Sequence, residues 1–109
     1  MFETLQNWLR ELLSQTENKN SRAHILIRGD RLAKGGYSVE LEKKIYNLGI
    51  FGWMRPSETF IEFDLEAPKE KLDAFLTAIK IVPTWTRVDR VELAWNTEKK
   101  GYQNFRVRN

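Results

Sequence analysis

Residue types that handle phosphate meet in one short stretch. Arg28, Arg31 and Lys34 lie in or beside a segment that ends Gly35-Gly36-Tyr37-Ser38. Glycines let backbone N–H groups turn toward an anion, and a helix opening at the end of such a loop adds the positive end of its dipole. Lys34 is placed to present a point charge to an anion held by the amides of Gly35, Gly36 and Tyr37. The competing reading is a tight strand-to-helix turn beside an ordinary solvated lysine. Ser38 reads as a helix N-cap rather than a nucleophile, because no base is identifiable near it in the sequence.

Other candidate groups point less far. Glu62, Asp64 and Glu66 alternate along one segment, which sets them in a row on one face of a strand. Acid–base or metal chemistry there needs groups converging from other elements, so a solvated strand face is the expectation. His24 is the single histidine and no cysteine is present, which removes a thiol nucleophile, a disulfide framework and a histidine-rich metal cage. No metal and no cofactor is expected. The 18 basic residues are interleaved with 15 acidic ones, giving a net charge of +3. Lys99-Lys100 and Arg106-Val107-Arg108 are the densest basic sites, a weak footprint for nucleic acid. With no apolar run near the roughly 20 residues that span a bilayer, and no signal-peptide pattern, the expectation is a cytoplasmic protein without a transmembrane segment.

The elements that must position the loop follow from periodicity. Phe2, Leu5, Trp8, Leu9, Leu12 and Leu13 recur at spacings of three and four, predicting an N-terminal amphipathic helix followed by the polar linker Ser14 to Ser21. The chain thus divides into residues 1–20, helix and linker, and residues 21–109, the body. Ala23, Ile25 and Ile27 alternate with His24, Leu26 and Arg28 as in a strand with one buried face. A helix from Ser38 buries Val39, Leu41, Ile45 and Leu48 and stops at Gly49. Phe51 to Arg55 and Thr59 to Glu66 make two strands around a short turn. Pro68 opens a second helix carrying Leu72, Phe75, Leu76 and Ile79, and Val88 to Trp95 and Tyr102 to Arg108 supply two more strands. The result is an α+β, ferredoxin-like βαββαβ sandwich with both helices on one face, an extra C-terminal strand and the added N-terminal helix. The sheet's second face is open unless the N-terminal helix covers it, within one chain or across a dimer.

Gly35-Gly36-Tyr37-Ser38, then Asn47-Leu48-Gly49-Ile50-Phe51-Gly52-Trp53-Met54-Arg55-Pro56, resembles the acylphosphatase family. There the loop ends Gly-Phe-Arg or Gly-Tyr-Arg, and a later strand ends Leu-Gly-Leu-x-Gly-Trp-Val-Arg-Asn. The resemblance runs from about Arg22 to Arg108 and includes Val82-Pro83 where the family usually has Gly-Pro. One residue is inserted between Gly29 and Leu32, and the turn between Trp53 and Ile61 is shorter than usual. Ser38 stands where the loop arginine belongs and Pro56 where the asparagine belongs.

The resemblance implies hydrolysis of the carboxyl–phosphate bond of small mixed anhydrides, the arginine and loop amides holding phosphate and the asparagine positioning water. Serine cannot make arginine's bidentate contact to phosphate, and proline has neither side-chain amide nor backbone N–H. The expectation is therefore a catalytically inactive domain acting as a protein-binding or regulatory module, possibly self-associating through Phe2, Leu5, Trp8, Leu9 and Leu12. The first alternative is an acyl-phosphate hydrolase or small-anion binder that uses the loop, with Lys34 or a nearby arginine supplying the charge. The second is a nucleic-acid-binding module. It is disfavoured because Thr59-Phe60-Ile61-Glu62-Phe63-Asp64 has carboxylates where RNA-recognition strands carry a basic-Gly-aromatic pattern.

Overall fold

The computed structural model describes residues 20–109. The expected N-terminal helix, with Phe2, Leu5, Trp8, Leu9, Leu12 and Leu13, lies outside the described residues. The element order is β1 (Asn20–Asp30), α1 (Tyr37–Leu48), β2 (Phe51–Pro56), β3 (Phe60–Pro68), α2 (Lys69–Ile79), β4 (Arg87–Asn96) and β5 (Phe105–Val107). The strands form one sheet in the order β4-β1-β3-β2-β5, antiparallel except for the β2–β5 pair. Each helix therefore carries the chain over an intervening strand, from β1 to β2 and from β3 to β4. Both lie on the same face, where they pack on each other. This is the α+β sandwich that the periodicity predicts.

The core sits between that face and the helices. Ala23, Ile25 and Ile27 of β1, Ile61, Phe63, Leu65 and Ala67 of β3, and Met54 of β2 are buried on one side of the pleat. They meet Tyr37, Leu41 and Ile45 of α1 and Leu72, Phe75 and Ile79 of α2. Phe63 and Phe75 lock sheet to helix, ring centroids 5.2 Å apart and nearly edge to face. At the end of α1, Gly49 donates to the Tyr46 carbonyl and Ile50 to the Ile45 carbonyl, the paired bonds of a Schellman stop, with Ile50 buried beside Ile45.

Several expectations change. Helix α1 begins at Tyr37, and its N-cap is Gly36, so Ser38 is inside the helix rather than capping it. Val39 is exposed, because two residues before Leu41 it lies about 200° round the helix from that buried side chain. Strand β5 is short: residues 97–104 are diverted toward β3, where Glu66 accepts the N–H groups of Lys100 and Gly101 at 2.7 and 2.9 Å.

The open face of the sheet is a polar surface that supplies its own partners. Arg22 grips Asp64 through Nε and Nη2, with bonds of 2.9–3.2 Å, and the Tyr102 hydroxyl donates to the same carboxylate at 2.5 Å. His24 Nε2 lies 2.7 Å from Glu62, whose other oxygen accepts from Arg55 at 2.6 Å. Asp64 and Glu66 are only 3% and 5% exposed, so the carboxylate row is not the solvated face expected of it. Cross-strand and C-terminal partners enclose it. Over β1 and β3 this face presents charged pairs, with exposed Phe51 on its β2 side.

Replacing Phe63 with Ala removes both the ring pair and a filled core position. An equilibrium urea titration is expected to show a loss of about 3–5 kcal/mol. A loss below about 1 kcal/mol would mean the core does not depend on this sheet-to-helix contact.

Candidate active site

The segment between β1 and α1 must turn an interior strand into a helix within six residues, and two neighbouring segments hold it while it does so. On one side is the turn between β2 and β3. Because Arg28 pairs with Phe60, the strand register brings residues 57–59 against the loop. Gly29 donates to the Thr59 carbonyl and Leu32 to the Glu58 carbonyl, both at 3.0 Å. On the other side are Trp85 and Thr86. Trp85 Nε1 donates to the Gly35 carbonyl at 2.5 Å, and Thr86 Oγ1 to the Arg31 carbonyl at 3.2 Å.

Two local distortions bend the chain ahead of Leu32. The β1–β4 register shifts between Arg28 and Gly29, and Arg31 takes a left-handed conformation with φ 57°. This lets Leu32 drop fully into the core as the loop's anchor. Gly36 also has positive φ, at 82°, the conformation that leads into α1. Gly35 is glycine for lack of room: a Cβ there would lie 2.3 Å from Thr86 Oγ1 and 2.8 Å from the Arg31 carbonyl oxygen.

The amides of the loop divide into two sets. Those of Gly35, Gly36 and Ser38 are used internally, on the carbonyls of Arg31, Ala33 and Leu32. Those of Ala33 and Lys34 both point to a single carboxylate oxygen, Glu58 Oε1, at 2.9 and 2.7 Å. The Lys34 ammonium is 4.0 Å from the other oxygen, Oε2. Two adjacent backbone N–H groups converging on one oxygen form an anion cradle, one that Glu58 itself occupies. Of the residues singled out from sequence, Lys34 is in this cradle through both amide and side chain, while Gly35 and Gly36 shape its rear. Ser38 is buried in the first turn of α1.

Tyr37 turns into the core rather than toward the cradle. Its hydroxyl donates to the Ile79 carbonyl at 2.5 Å, and burial pushes its pKa up to about 12. Arg31 is exposed and, among the described residues, forms no ion pair, whereas Arg28 lies 3.9 Å from Glu92. Glu58, Trp85 and Thr86 escaped the sequence reading. Their contributions come from segments 24 to 55 residues distant along the chain, and the strand register and the second crossover bring them to the loop.

Both the sequence and the fold have counterparts among known proteins. The family model described as Acylphosphatase matches residues 23–107. The chain belongs to the acylphosphatase family. It is 33% identical over 91 residues to an acylphosphatase of Thermococcus kodakarensis, covering 82% of this chain and 97% of that one. It is 35% identical over 83 residues to an acylphosphatase of Thermus thermophilus, covering 75% and 92%. The crystal structure of acylphosphatase from Bacillus subtilis superposes with a TM-score of 0.72 at 18% identity, over 82% of this chain and 99% of that one, which supports the fold.

These relatives correct the expectation of a catalytically inactive binding module. Full-length matches at 28–35% identity are named acylphosphatase, which points to acyl-phosphate hydrolysis. The physical reason the expectation failed lies in the weight it gave to the side chains at Ser38 and Pro56. A cradle of backbone N–H groups is independent of both. No helix among the described residues is long and apolar enough to cross a membrane.

Two outcomes follow from this geometry. Gly35→Ala should cost more than about 1 kcal/mol in thermal or urea unfolding, because its methyl meets backbone as well as side chain. Tyr37 stays protonated in the folded protein to about pH 12, while the unfolded chain ionises it near pH 10. Its contribution is complete below pH 10 and falls as pH rises toward 12, by on the order of 2 kcal/mol. Tyr37→Phe should flatten that part of the stability profile, and an unchanged alkaline slope would contradict the assignment.

Proposed function

We propose that the protein hydrolyses acyl phosphates, with the phosphoryl group seated on the N–H groups of Ala33 and Lys34 in place of the Glu58 carboxylate. The observation that carries this reading is the convergence of those two amides on one anionic oxygen, with the Lys34 ammonium alongside. Water attacks phosphorus, the bond between phosphorus and the acyl oxygen breaks, and a carboxylate and phosphate leave with one proton released to solvent. Charge builds on the equatorial oxygens during this step, so fixed N–H dipoles and a nearby cation lower the barrier by positioning and electrostatics. Lys34 supplies the cation as a point charge, and exposed Arg31, two residues before the cradle, adds a second one at its rim. Glu58 makes the site selective for ligands that compete with a carboxylate: a phosphoryl dianion brings more charge to the same donors.

The test is hydrolysis of benzoyl phosphate by the full chain beside an acylphosphatase of the family. Turnover is expected, and Lys34→Ala is expected to lower kcat/KM about tenfold or more, the loss of one charge-assisted contact. Glu58→Ala should lower the inhibition constant for inorganic phosphate, since the resident anion is gone. Ser38→Arg with Pro56→Asn should raise turnover if the frame is that of the relatives. No hydrolysis by the unmodified chain, under conditions where the control turns over, would overturn the proposal.

A further inference from the structure

The two helices do not cover the whole sheet. Helices pack about 10 Å apart, whereas neighbouring strands are about 4.8 Å apart, so two helices shield roughly four strands. Here α1 lies over β2, and α2 over β3 and β1. The fifth strand in line on the helix side is β4. Its residues Val91, Leu93 and Trp95 are paired with the buried Ile27, Ile25 and Ala23, and so point to the helix side of the sheet. Yet they are 44%, 40% and 43% exposed. They continue the core laterally, and among the described residues the Lys69 ammonium lies over the Trp95 ring, 5.4 Å from its centroid.

The geometry points to the chain's own N-terminal segment, Phe2 to Leu13, as the third helix that completes this layer. Three observations select that occupant. First, the segment carries Phe2, Leu5, Trp8, Leu9 and Leu12 at helical spacing, and the open face offers it charged pairs over β1 and β3, its exposed Phe51 lying on β2, away from the β4 edge. Second, the chain enters β1 at Asn20, and Arg22 pairs with Asn96, so the preceding residues arrive beside the Trp95 end of β4. Third, the dimensions agree. Twelve helical residues are about 18 Å long, the stripe from Val91 to Trp95 spans about 13 Å, and the six residues from Ser14 to Lys19 reach up to about 20 Å.

The apolar groove between α1 and α2, lined by Leu41, Ala78, Ile81 and Val82, is the rival seat. It lies at the far end of α2 from the entry point, because Asn20 pairs with Pro68, which immediately precedes α2. Helix α2 has 11 residues, about 16 Å of length that a segment seated in the groove would have to pass.

The chain has no cysteine, so a single introduced thiol reports cover directly. In Leu93→Cys, reaction with an aromatic disulfide is expected to be at least about tenfold slower than in the same variant carrying Leu5→Asp and Leu9→Asp. Ile81→Cys should react equally fast with and without the aspartates. The protection of Leu93→Cys should persist on hundredfold dilution, with a monomer in sedimentation. Equal rates at position 93 would overturn the proposal, as would protection at position 81 instead. Protection lost on dilution would also overturn it, by assigning the stripe to a second copy.

Discussion

Two backbone N–H groups on one oxygen set the terms for the active-site region. For Ala33 and Lys34 to face outward together, the chain before them must be held in a left-handed turn at Arg31, and the chain behind them must enter a helix through Gly36. Glycine adopts the second conformation freely, whereas the left-handed turn at Arg31 is unfavourable for a side chain and is held from outside the loop. Glu58 and Thr59 hold the front by backbone bonds, Trp85 and Thr86 hold the rear carbonyls, and Leu32 is sunk in the core. The cradle is thus a consequence of how the two crossovers of the fold converge at one end of the sheet.

The same economy governs the opposite face. Asp64 and Glu66 are almost fully buried on the sheet face opposite α1 and α2, and desolvating carboxylates without partners is costly. Arg22 and Tyr102 satisfy the first, and the N–H groups of Lys100 and Gly101 satisfy the second. These contacts draw the segment after β4 across the sheet toward β5. Arg108 then stacks over Trp53 at 4.9 Å beyond the end of β5. A row of acids that reads from sequence as a solvated or catalytic set is instead the fastening for the C-terminal segment. The pKa of Tyr102 is raised, first by burial and then by its bond to Asp64, as a group held in such a network should be.

The family assignment and the substitutions at Ser38 and Pro56 are reconciled by separating what holds phosphate from what assists the attack. Backbone amides depend on the path of the chain. Side chains at two positions can change without moving it. Reasoning from the two side chains alone therefore led to an inactive domain, whereas relatives that match nearly end to end are named for acyl-phosphate chemistry.

The alternation of Ala23, Ile25 and Ile27, the helical spacing of Leu72, Phe75 and Ile79, and the stop at Gly49 are local patterns. They were legible in the sequence because a period of two or of 3.6 must bury one face. The order of elements and the glycine loop followed from them. What the sequence left open was every partnership between distant segments: Glu58 as occupant of the loop, Trp85 and Thr86 as its rear support, and Arg22 and Tyr102 as the partners of Asp64. The start of α1 also lay beyond reach, since Ser38 is a good cap by type but the left-handed turn at Gly36 begins the helix one residue earlier. Local periodicity decides which face of an element is buried, while register and crossover decide which donors meet which acceptors, and those exist only once the sheet has formed.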